Sequence, residues 1–188
     1  YDSASLGGWN PATGERFWEH VPREGSDFNV TTPLIHDGQL LLATENNATR
    51  LHGFLPNGKI DPKPALANNS LAPDTCSPVI VGDRVFATAY GEMYCLNLKD
   101  GMKTVWVAED DMFFDHTNVI GGNGRVLAWT NSGDLLLLDA AADEFKPLSR
   151  LRPFGDGKVD SMSHPAIAGN RLYLRGPSEL ACFKLGGD

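Results

Sequence analysis

Short apolar runs punctuated by turn residues recur along the whole chain, and four stretches share one order of parts. They are "TPLIHDGQLLLATENNATRLHGFLPNGKI" (32–60), "SPVIVGDRVFATAYGEMYCLNLKDGMKTVW" (77–106), "TNVIGGNGRVLAWTNSGDLLLLDAAADEF" (117–145) and "HPAIAGNRLYLRGPSELACFKL" (164–185). In each, a short strand (PLI, PVIV, NVI, PAIA) ends at a Gly, Asp or Asn turn. Such residues accept the positive φ that a tight hairpin demands. A second strand follows (QLLLATE, RVFATAY, RVLAWT, RLYLRG), then another polar or glycine turn and a third strand (RLHGFL, MYCLNL, LLLLDA, LACFKL). A fourth strand fits after the closing turns PNG and KDG. No segment shows a sustained helical period with caps, so the pattern predicts strands throughout.

The period decides the architecture. Taking Pro33, Pro78, Asn118 and Pro165 as equivalent, the steps are 45, 40 and 47 residues. Four antiparallel strands in such a unit are the signature of one β-propeller blade. The opening "SLGGWNPATGERFWEHV" matches only the second half of a unit. The expectation is an all-β, single propeller domain over 1–188, made of four-stranded antiparallel blades. Approximate bounds are a partial blade at 1–24 and four blade cores at 29–70, 74–110, 114–152 and 161–188. An open arc is expected to expose an apolar blade face and strand edges, which folded proteins avoid. A seven- or eight-bladed ring, with neighbouring blades supplied from outside this sequence, is therefore expected over a four-bladed ring.

The repeat also resembles a known family. Ser/Thr-Pro-x-x-x-Gly before an apolar strand, with D-x-x-T-G-x-x-x-W after a third strand, resembles the PQQ-like (pyrroloquinoline-quinone-type) β-propeller repeat. The best matches are Asn10-Pro11-Ala12-Thr13-Gly14 with Trp18, and Lys99-Asp100-Gly101 with Trp106. The 32–60 and 117–145 copies lack the Trp, so Trp docking between blades should be irregular there. The family includes quinoprotein dehydrogenases and a non-enzymatic outer-membrane assembly lipoprotein, and the chain resembles the latter branch more. The dehydrogenases clamp quinone against a vicinal disulfide, and Cys76, Cys95 and Cys182 are nowhere adjacent. The resemblance implies a periplasmic, cell-surface or secreted protein.

Composition narrows the function. A net charge of −8 repels nucleic-acid backbones and anionic membranes, and no stretch reads as a transmembrane span or signal peptide. Cys95 and Cys182 lie in apolar runs and are read as buried thiols. The sequence GGNG at 121–124 is a hairpin turn with no helix behind it to make a phosphate loop. Sequons begin at Asn29, Asn47 and Asn68.

In a propeller the first strand of each blade lines the central channel, and the loops entering it form one mouth. Asp27, Asp74, Asp115 and Asp160 precede those strands, by six, four, three and five residues, with His116 and His164 in the same zone. Asp74, Asp115, His116, Asp160 and His164 are therefore the candidate ligand-binding residues, able to hold a cation or polar ligand or to supply a base. The unequal offsets favour turn capping over a carboxylate ring. His20, His36 and His52 are read as structural or solvent-facing. The function expected is a non-catalytic scaffold engaging a protein or small polar ligand at the mouth, without a cofactor. The alternative is a PQQ- or metal-dependent oxidoreductase using quinone and calcium, with Asp115 and His116 nearest the chemistry.

Overall fold

In the computed structural model, residues 1–188 are described except 3, 28, 29, 158, 161, 187 and 188. The chain is all-β. It forms five antiparallel meanders whose strands pair in sequence order. The first holds β1 (Leu6–Trp9) and β2 (Arg16–His20). The second holds β3 (Leu34–His36), β4 (Gln39–Thr44), β5 (Ala48–His52) and β6 (Leu66–Asn68). The third holds β7 (Val79–Val81), β8 (Arg84–Ala89), β9 (Glu92–Asn97) and β10 (Lys103–Glu109). The fourth holds β11 (Thr117–Gly122), β12 (Arg125–Thr130), β13 (Leu135–Asp139) and β14 (Pro147–Leu151). The fifth holds β15 (Ala166–Ala168), β16 (Arg171–Arg175) and β17 (Leu180–Lys184). Two one-turn 3-10 segments at Leu98–Asp100 and Asp111–Phe113 interrupt the strands. Among the described residues no helix is long and apolar enough to cross a membrane.

The turns follow from their residues. Asp37-Gly38 (φ 46° and 73°) and Asn123-Gly124 (φ 51° and 70°) are two-residue hairpin turns with both φ positive. This geometry twists with the flanking strands and favours Asn/Asp-Gly. Apolar residues at alternate positions then form the sheet faces. Leu41 and Leu51 of the second sheet join Phe86, Leu96 and Met93 of the third and Val126 of the fourth in one buried cluster. Trp129, Leu135, Leu172 and Leu174 join the fourth sheet to the fifth. Leu6 packs with Leu40 and Leu42 between the first and second, with Trp18 against them.

Consecutive sheets are also tied at specific points. A Cβ on Gly121 of β11 would sit 2.6 Å from Val81 Cγ2 and 3.2 Å from Val79 Cβ of β7. Only glycine lets these two inner strands approach so closely. Trp106 is buried and reaches the next sheet. Its Nε1 donates to Ala142 O at 3.2 Å, and its ring lies 5.6 Å from that of Phe145. Arg84 donates to the same carbonyl. Before the inner strands, Thr32 N donates to Ser77 Oγ at 3.0 Å, linking equivalent positions of successive repeats.

One expectation is corrected. Cys182 is exposed, whereas Cys76 and Cys95 are buried. Cys182 pairs with Tyr173 on the side of the fifth sheet opposite Leu172 and Leu174, and among the described residues no sheet is packed on that side. The same side carries Arg171, Arg175 and Lys184 with Leu180, so the outward face of the last sheet is largely polar and cationic. At the other end Trp9, Phe17 and Val21 are exposed, and on the fifth sheet Ile167 and Leu180 are exposed as well.

Candidate functional site

The residues before the inner strands gather around a cavity of about 420 Å³. Asp74 and Thr75 come from the segment before β7, Tyr90 from the β8–β9 turn, and Phe114, Asp115 and His116 from the segment before β11. Met162 arrives from the segment before β15. The local chain explains the placement. Asp110 accepts from Met112 N at 3.0 Å and starts the 3-10 turn, which buries Met112 and Phe113. Phe113 stacks edge-on to Phe145 at 5.9 Å. The turn then releases Phe114 outward, 80% exposed, beside Tyr90 at 67% and Met162 at 70%.

Behind the cavity runs a polar network. His116 Nε2 lies 3.1 Å from Asn118 Oδ1, and Asn118 Nδ2 donates to Ser163 O at 3.4 Å. The amide oxygen can only accept, so Nε2 carries the proton and Nδ1 is the one nitrogen of neutral His116 with a lone pair. Asn131 N donates to His116 O at 2.9 Å, and Asn131 Nδ2 to Asp160 Oδ1 at 3.3 Å. Asp160, at φ 54°, is thereby held against the fourth sheet. Burial lowers the His164 pKa, and the charge of His116 lowers it further. Thus Asp74, Asp115 and His116 line one cavity, and Asp160 and His164 adjoin His116 through this network and its field.

Other residues before the strands are structural. Asp27 is buried and accepts from Asn46 N at 2.8 Å and Asn47 Nδ2 at 2.6 Å. Cys76 takes a contact from Thr88 N at 3.4 Å, and burial raises its thiol pKa. The amides of two sequon asparagines are occupied, Asn47 as above and Asn68 on Met102 O at 2.9 Å. Asn29 lies outside the described residues. At the opposite end of the sheets, His36 stands 3.6 Å from Asp37 and 3.7 Å from Asp83. Among the described residues this trio is the one grouping that could hold a metal ion. Lys99 already pairs with Asp83 at 2.6 Å.

The residues that sequence reasoning missed lie between the first and second sheets. There His20, Arg50 and His52 line a further cavity of about 540 Å³. His52 is buried, not solvent-facing. Its signal was the alternation Arg50-x-His52, two polar side chains on one face of an otherwise buried strand.

No protein-family model matches this chain, and no curated protein matches it. Solved structures do. The crystal structure of BamB from Moraxella catarrhalis is 16% identical with a TM-score of 0.66, over 96% of this chain and 51% of that one. The computationally designed Ika8 protein is 9% identical with a TM-score of 0.70, over 97% and 53%. The chain therefore spans about half the length of each. At these identities the likeness is one of fold, and the fold is that of a β-propeller.

Proposed function

We propose that the chain is a non-catalytic propeller scaffold that binds a protein partner through the loops before its inner strands. The observation carrying this reading is the cluster of Tyr90, Phe114 and Met162, all largely exposed, around a cavity rimmed by Asp74, Asp115 and His116. Aromatic and Met side chains are enriched at protein interfaces, and an exposed group of them rimmed by polar residues is a docking surface. The three come from separate connections, so the rigid sheets hold them in place without help from each other. His116 donates Nε2–H to Asn118, which holds its ring as a positioned part of the wall. The acid rim and the net charge of −8 favour a partner presenting apolar and basic groups. The role requires no cofactor. It fits an exported protein, periplasmic or at the cell surface, which the family resemblance also implies.

The test replaces Phe114 with a photo-crosslinking residue in the producing cell, with Ser149 on β14 as an exposed control. A discrete adduct is expected at 114 and none at 149, and Tyr90→Ala should remove it. No adduct at 114, or the same adducts at both positions, overturns the reading.

A further inference from the structure

Arg50 and His52 each carry a buried nitrogen without a hydrogen-bond partner. In the β4–β5 register Leu40 faces His52 and Leu42 faces Arg50, so these four residues share one side of the second sheet. That side turns toward Leu6 and Trp18 of the first sheet. Arg50 is 9% exposed and His52 1%. Arg50 Nη2 donates to Thr44 Oγ1 at 3.2 Å and the guanidinium also faces the Tyr1 phenol, while its Nε has no hydrogen-bond partner. His52 Nδ1 lies 2.8 Å from Asp61 O. A carbonyl oxygen only accepts, so Nδ1 carries the proton and Nε2 offers a lone pair. That Nε2 is buried and also without a partner. Burying such groups without partners is unfavourable, so two on one face point to an absent binding partner.

Both side chains line the cavity of about 540 Å³, a size suited to small ligands. His20 lines it too, its ring 5.1 Å from that of His52. The remaining charged walls are Arg23, Glu24 and Glu45, and Arg23 pairs with Glu24 at 3.4 Å. Two residues along a strand separate the Arg50 and His52 backbones by roughly 6.6 Å. One small molecule can therefore reach both. The guanidinium asks for a planar oxyanion, while His52 Nε2 asks for a hydrogen-bond donor. A phosphate dianion supplies no donor, and Glu24 and Glu45 oppose its second charge.

We propose that this cavity binds a small monoanionic hydroxycarboxylate, its carboxylate on Arg50 and a hydroxyl donating to His52 Nε2. Glucuronate is the probe, with glucose and acetate as its two halves. Calorimetry should show glucuronate binding more tightly than either, and the ¹⁵N resonance of His52 Nε2 should move on titration. Arg50→Gln is expected to weaken glucuronate binding by about tenfold or more, and His52→Phe to erase its advantage over acetate. If Arg50→Gln fails to fold, Arg50→Lys keeps the charge without the fork and should still weaken binding. No movement of His52 Nε2 at millimolar glucuronate overturns the proposal. So does equal binding of acetate, or an affinity unchanged by the foldable Arg50 variant.

Discussion

Burial lowers the pKa of His20, His52 and His164 below the ordinary histidine value of 6.5. At His20, the charges of His52 and Arg50 add to it; at His52, Arg50 opposes protonation while the Asp61 carbonyl favours it. A depressed folded pKa means that the unfolded chain binds more protons once the pH drops below its own value. The stability these residues contribute is complete above the unfolded pKa and is lost as the pH falls through the folded one. The melting temperature is therefore expected to decline between about pH 7.5 and about pH 5.5. His52→Phe, which keeps the ring and removes the titration, should flatten that decline. A slope identical in the two proteins, followed by circular dichroism, would show that His52 is not a source of it.

Between elements, Trp106 does for the third and fourth sheets what no backbone hydrogen bond can. Its ring packs between Phe86 at 6.0 Å and Phe145 at 5.6 Å while its Nε1 satisfies Ala142 O. Trp106→Ala should destabilise the protein by about 3–5 kcal/mol, as large aromatic truncations in cores do. Trp106→Phe should recover part of this, and urea denaturation reads both. This element was legible in the sequence, because a Trp after a Gly turn repeats at Trp18, which meets Phe54 across its own sheet boundary at 6.2 Å. The hairpins at Asp37-Gly38 and Asn123-Gly124 were legible for the same reason, since local chemistry sets local backbone. Exposure of Cys182 was not. Its alternation with Ala181 and Phe183 states that one side differs from the other, and only the tertiary packing decides which is covered. The contact of His20 with His52 was hidden likewise. A face is written in one strand, but its occupant comes from residues thirty positions away. At the mouth, the zone was legible from the repeat frame, whereas the splitting of Phe113 inward and Phe114 outward depends on a single 3-10 turn.

Across the whole molecule, the sheets stack like units in a row, so the stability of each depends on how many of its faces are covered. In the third sheet, β8 and β9 are almost wholly buried, with neighbours on both sides. In the fifth, β17 alternates between exposed and half-buried residues, and β2 in the first does the same. Regions with few buried contacts open at low free energy. Amide hydrogen exchange should be slowest in β8 and β9 and fastest in β2 and β17. The coupling itself can be cut at Gly121, where an added methyl would run into Val81 and Val79. Both valines belong to a packed inner strand and have backbone behind them, so the strands must separate to admit it. Gly121→Ala should therefore speed exchange in β7 and β11 together, and in the sheets they belong to, while β1 and β2 keep their rates. Acceleration confined to β11 would mean that the inner strands are not coupled through this contact, and uniform acceleration would mean that the sheets open as one body and not as stacked units.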